Sequence, residues 1–140
     1  MSKDPRLSIE KGDRSIYTDL ESKAPLKDLS HTEVFCLAMA LGFKNGLRTK
    51  INSKDGLIRY GTPKEKHWRL IRAVAVASSK DLGIAANIDD CVAIVEEYAN
   101  AGLQLLDETV RSTKTDELET IVERAIMDVY GEITESEDLD

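Results

Sequence analysis

The chain has 140 residues, of which 41% are hydrophobic and 32% are charged, and this balance fits one globular domain rather than a wholly disordered chain. Its two cysteines, Cys36 and Cys91, are too few for a disulfide framework, and we expect both to be buried free thiols. No apolar run reaches the roughly 20 residues of a membrane-spanning helix, and the polar N-terminus does not read as a secretory signal. We therefore expect a cytoplasmic protein without a membrane partner.

The net charge of −7 is distributed unevenly along the chain. Residues 44–72, which we call the basic island, carry 9 basic and 2 acidic side chains, whereas residues 73–140 carry 4 basic and 17 acidic ones. Two interpretations are open. The basic island binds phosphate groups or an acidic partner, or the acidic C-terminal helices neutralise it within the molecule.

The sequence signals are weak for the N-terminal segment and strong for the first helix. Residues 1–29 are broken by prolines and a glycine and predict an irregular N-terminal arm, with at most a short strand at residues 15–18. Ser30 and Glu33 then form a capping-box pattern before an apolar run at residues 34–43, which predicts a buried first helix. Asn45 and Gly46 predict its end.

A small β-ribbon is predicted between the first and second helices. Residues 48–51 and 57–60 contain strand-forming side chains, and the turn signal Asp55-Gly56 lies between them. The second helix is expected to start at Thr62, with Pro63 in its first turn, and to run to about residue 80. Its first turns are basic, against the helix dipole, which suggests a requirement for positive charge there.

Two further helices complete a compact, mainly α, four-helix domain at residues 30–130, followed by a disordered acidic tail at 131–140. The third helix spans residues 88–111, and the fourth spans 116–130. Ala99 and Gly102 make a flat place on the third helix, and Ala38 and Gly42 make a matching one on the first. We predict that these two helices pack together there.

No catalytic or metal-binding pattern is visible, so we expect no cofactor and consider enzymatic activity open but less favoured. His31 and His67 have no nucleophile at a recognisable spacing, and the Cys and His positions match no metal-ligand motif. The acidic pairs Asp89-Asp90 and Glu96-Glu97 are expected on a solvated helix face. Trp68 is expected to cover the core, although stacking on a nucleic-acid base is an alternative.

Three segments carry a resemblance to a known family. They are FCLAMALGFKNGLR at residues 35–48, DGLIRY at 55–60 and EEYANAGL at 96–103. Within residues 33–106 the chain resembles small prokaryotic proteins associated with the dnd system, which attaches sulphur to DNA as phosphorothioate. The resemblance implies a context of DNA modification and defence, and it brings no catalytic residues with it.

These observations predict a non-enzymatic accessory protein of a DNA-modification or restriction system of the phosphorothioation type. It would bind DNA phosphates, or an acidic protein of the same complex, by charge neutralisation without reading bases. The alternative is a structural protein-interaction module or homodimer without a nucleic-acid role. The candidate binding residues are Lys44, Arg48, Lys50, Arg59, Lys64, Lys66, Arg69 and Arg72.

Overall fold

The computed structural model describes residues 5–23 and 26–112, together with residues 117, 120, 123, 124 and 127. The described chain is mainly helical, with four α-helices, a short 3-10 helix and a two-stranded antiparallel ribbon. In chain order, the elements are β1 (Arg6–Glu10), α1 (Arg14–Glu21), α2 (His31–Lys44), β2 (Lys54–Arg59), α3 (Glu65–Ser79), the 3-10 helix Leu82–Ala86 and α4 (Ile88–Ser112).

The centre of the molecule is the contact between α2 and α4. Residues 34–40 of α2 are all buried, as the unbroken apolar run predicted. A Cβ atom on Gly102 would lie 1.7 Å from the Ala38 carbonyl oxygen, and one on Gly42 would lie 2.1 Å from the Tyr98 carbonyl oxygen. The two backbones therefore touch where no side chain fits between them, and the predicted packing of small residues is confirmed.

The predicted ends of these helices are also largely correct. The Ser30 hydroxyl accepts from the Glu33 amide at 3.2 Å, and the Glu33 carboxylate accepts from the Ser30 amide at 3.2 Å. Asn87 accepts from the Asp90 amide at the start of α4. The second predicted helix, however, starts at Glu65 rather than Thr62, because the Nδ1 atom of His67 accepts from the Lys64 amide and fixes the first turn there.

The ribbon prediction had the wrong partner strand. β2 pairs with β1, which precedes all the helices, and Asp55 and Gly56 lie inside β2 rather than in a turn. Residues 48–51 form no strand, because the amide of Thr49 donates to the Glu97 carbonyl and the side chain of Asn100 donates to the Thr49 carbonyl. α4 thus occupies backbone groups that a local hairpin would have used.

Over the residues described, the N-terminal arm contains β1 and α1, whereas the sequence predicted an irregular segment. Leu7 and Ile9 of β1 are buried, and Tyr17 and Leu20 of α1 are each 0% exposed. Residues 15–18, considered as a strand, are helical because these two side chains are three apart and bury one face of α1. The predicted fourth helix and acidic tail lie outside the continuously described residues. None of the described helices combines the length and apolar character needed to cross a membrane.

The helix contact gives a first prediction. Gly102→Ala should lower the free energy of unfolding by about 3 kcal/mol, because the new methyl group meets backbone atoms of α2 that cannot move aside. Urea unfolding measures the change. Gly61→Ala is the control, since a Cβ there has no atom within 4 Å, and we expect an effect within about 0.5 kcal/mol. Equal effects of the two substitutions would contradict the proposed close contact.

Candidate anion-binding surface

The structure divides the eight predicted binding residues into two groups, all of them exposed. Lys44, Arg48 and Lys50 lie at the C-terminal end of α2 and in the loop after it. The other five lie at the end of β2 and along the first turns of α3: Arg59, Lys64, Lys66, Arg69 and Arg72. Along the chain, β2 and its connections separate the two groups.

The exposed side of α3 carries the clearest positive surface. Lys66, Arg69 and Arg72 follow one another at three-residue spacing, while Leu70 and Val74 on the other side are buried. We call these three residues the α3 basic face. Arg69 is 3.5 Å from the Glu65 carboxylate, but both side chains are largely exposed and such a pair contributes little to stability. Lys66 and Arg72 form no ion pair with any residue that the structure describes.

His67 lies on the buried side of the same helix. Burial lowers its pKa below the usual value, and the neighbouring charge of Lys66 lowers it further. Of these two causes, burial is the larger. The imidazole accepts from the Lys64 amide at 3.1 Å, so the neutral ring fits its role at the start of α3.

Arg48 is engaged within the molecule. Its Nε atom lies 2.7 Å from a Glu97 carboxylate oxygen, and its Nη1 atom donates to the Ser78 hydroxyl at 3.3 Å. The guanidinium also lies over the Tyr98 ring, 5.4 Å from its centre, and the hydroxyls of Tyr98 and Ser78 are 2.7 Å apart. Arg48 therefore joins α3, α4 and the loop after α2, which matches the internal-neutralisation interpretation for this residue.

The same contacts explain the segments that carry the family resemblance. Arg48 ends the first segment, and Glu97, Asn100 and Gly102 belong to the last. Glu97 binds Arg48, Asn100 holds the loop carbonyls, and Gly102 lets the two helices touch. These motif residues build the scaffold, and their presence needs no catalytic explanation.

Glu96 was expected on a solvated helix face, and this prediction is wrong. Its side chain is 3% exposed rather than solvated; it accepts from the Ser8 amide, and its other oxygen lies 3.2 Å from the Lys54 ammonium. Burial raises its pKa, while these two partners oppose the increase. The spacing from Val92 and to Ala99 places Glu96 on the buried stripe of α4, and this spacing could have identified it.

Other polar groups complete the edge of the core. The Tyr60 hydroxyl donates to Asp89 at 3.1 Å, and the Tyr60 ring meets Trp68 edge-on with centres 5.3 Å apart. Trp68 is half-buried against the core, as predicted. Within the described residues, no group of three or more His, Cys, Asp or Glu side chains is placed to hold a metal ion.

These features define a small, mainly helical protein. The residues of its sequence motifs hold the fold together, and α3 carries an exposed row of cations. Over residues 9–140 the sequence matches the family of DNA sulphur modification system-associated protein 4. The chain belongs to this family, because the match covers nearly its whole length, and the resemblance seen in the sequence is confirmed. No curated protein and no solved structure matches the chain.

The Arg48 contacts predict a local effect on the loop after α2. Arg48→Gln should accelerate hydrogen exchange at the Thr49 amide and lower the free energy of unfolding by about 1 kcal/mol, because hydrogen bonds to Glu97 and Ser78 are lost. Lys50→Gln is the control on the same loop. If both variants exchange equally at Thr49, Arg48 does not hold the loop.

The buried Glu96 predicts a pH-dependent stability. Because its pKa is raised above the usual 4.5, the folded protein keeps a proton just above this pH that the unfolded chain releases. The stability of the wild type relative to Glu96→Gln should therefore fall as the pH rises from about 4 to about 7. Urea unfolding across this range measures the difference, and Glu108→Gln, at an exposed position, is the control. A difference that stays constant with pH would contradict the assignment.

Proposed function

We propose that this protein is a non-enzymatic accessory component of a DNA sulphur modification system and that it contacts DNA phosphates through the α3 basic face. The observation that carries the proposal is the exposed row of Lys66, Arg69 and Arg72 in a chain whose net charge is −7. Lys66 and Arg72 have no carboxylate partner among the described residues, whereas Arg48 lies against Glu97 of α4.

The geometry of α3 suits contact with a phosphate backbone. The helix has 15 residues and is about 22 Å long at 1.5 Å per residue. A row of cations along half of that length spans several phosphates, which follow one another at about 3.4 Å of rise along each DNA strand. Side chains of this kind set position and orientation on the duplex and carry no base readout.

The two groups of cations have different roles in this proposal. The α3 basic face and Lys64 provide the contact, because they are exposed and adjacent in the chain. Lys44 and Lys50, at the end of α2 and beyond it, add long-range electrostatic attraction to DNA. Arg48 makes no DNA contact in this proposal, because its guanidinium holds the loop after α2 against Glu97. An acidic protein of the same system is the competing partner, and a protein-interaction module without a nucleic-acid role is the remaining alternative.

The test is a salt titration of duplex DNA binding, measured by fluorescence anisotropy. The wild type should bind at low salt, and the slope of log affinity against log salt should fall by about 3 in K66Q/R69Q/R72Q, since each phosphate contact contributes about 0.9. The control K11Q/K23Q/K27Q removes the same charge from exposed lysines outside the basic island and should keep the slope.

Two outcomes would reject the DNA contact. One is the absence of binding at about 50 mM salt, where electrostatic binding is strong. The other is an equal loss of affinity in the triple variant and in its control, because that result would reflect net charge rather than the α3 basic face. In either case the acidic partner or the interaction module becomes the favoured alternative.

A further inference from the structure

A partly exposed pair of aromatic side chains borders the α3 basic face. Tyr60, in the connection after β2, and Trp68, near the start of α3, meet edge to face, with ring centres 5.3 Å apart and planes at 73°. Both side chains pack against the core and remain partly exposed. The Tyr60 hydroxyl donates to Asp89 of α4 at 3.1 Å. The Tyr60 ring is therefore held from two sides, and the pair forms an ordered aromatic surface.

Trp68 also has a polar edge at the protein surface. Its indole N–H has no hydrogen-bond partner among the described residues, and it is not one of the buried atoms that lack a partner, so water reaches it. The N–H group of a buried tryptophan usually finds a partner within the protein. A tryptophan that is apolar on one side and hydrated at its edge is of the kind enriched at binding surfaces.

Cations adjoin this aromatic surface. Arg72 follows Trp68 by four residues on α3, so the two side chains are neighbours on the helix surface. Arg72 is exposed and forms no ion pair with a residue that the structure describes. The nearby carboxylate of Glu65 faces Arg69 at 3.5 Å, and that of Asp89 accepts the hydrogen bond described above. A phosphate group bound by Arg72 would therefore lie beside the indole ring.

We infer that Trp68 stacks on an unpaired base of a DNA strand whose phosphates contact the α3 basic face. The inference rests on the proposed function and adds to it the form of the DNA. Every base has a π-face, so stacking on an aromatic side chain tolerates any sequence. A base inside a duplex is enclosed by its neighbours and cannot reach a protein ring. The contact therefore requires a single-stranded or locally unpaired stretch.

The experiment titrates the wild type with two single strands of equal length and charge. One is a thymidine oligomer of about 10 nucleotides, and the other is an abasic oligomer with the same number of phosphates. Trp68 is the only tryptophan of the chain, so its fluorescence reports on this position alone. We expect the thymidine strand to quench this fluorescence and to bind about tenfold more tightly than the abasic strand, which should bind without quenching.

Variants separate the ring from the charges, with affinities measured by the anisotropy of labelled strands. Trp68→Leu should reduce the affinity for the thymidine strand to that for the abasic strand, whereas Trp68→Phe should retain most of the difference because it keeps an aromatic ring. Arg72→Gln is the matched control. It removes a phosphate contact, so it should weaken both strands by the same factor. The quenching measurement needs only the wild type and stands even if Trp68→Leu does not fold.

Equal affinities of the wild type for the two strands, or equal quenching by both, overturn the inference. If duplex DNA still binds with the salt dependence described above, the proposed function survives that result and only the stacking contact is rejected. Absence of binding to duplex and single strands alike rejects the proposed function, and the inference with it.

Discussion

The fold depends on direct contact between the backbones of α2 and α4. Gly42 and Gly102 make this contact possible, since a single methyl group at either position would overlap a carbonyl oxygen of the other helix. Close contact brings the polar side of α4 within reach of the loop that follows α2. Glu97 and Asn100 then hold that loop, so the helix packing also fixes the backbone from which Arg48 projects.

Around this contact, carboxylates stabilise the structure by accepting hydrogen bonds from nearby backbone amides and from an ammonium group. Glu10 on β1 accepts from the amides of Asn52 and Ser53 at 2.9 and 2.8 Å, and these bonds lower its pKa. The buried carboxylate of Glu96 accepts from the Ser8 amide, and its other oxygen lies 3.2 Å from the ammonium of Lys54, whose side chain is largely exposed. Loss of the Ser8 and Lys54 contacts would leave the buried Glu96 carboxylate uncompensated, so these contacts favour the observed position of the ribbon against α4.

Local signals were sufficient for part of this fold and failed for the rest. The Ser30 capping box involves residues close together in the chain, and the helix contact at Ala38 and Gly102 depends on the small size of these residues. The sequence predicted both features. The ribbon joins residues about 50 positions apart, and Asp55-Gly56 indicated a nearer turn that α4 prevents.

The distribution of charge connects the scaffold with the proposed contacts. Acidic groups of β1 and α4 bind Arg48, Lys54 and backbone amides, so part of the negative charge is used in holding the fold together. The cations of the α3 basic face are exposed and take no part in those contacts. Exposed charges act over about 8 Å at physiological ionic strength, which is shorter than the length of α3. For a polyanion close to that helix, the adjacent cations therefore matter more than the net charge of the chain, and an acidic protein can still present a surface that attracts phosphate.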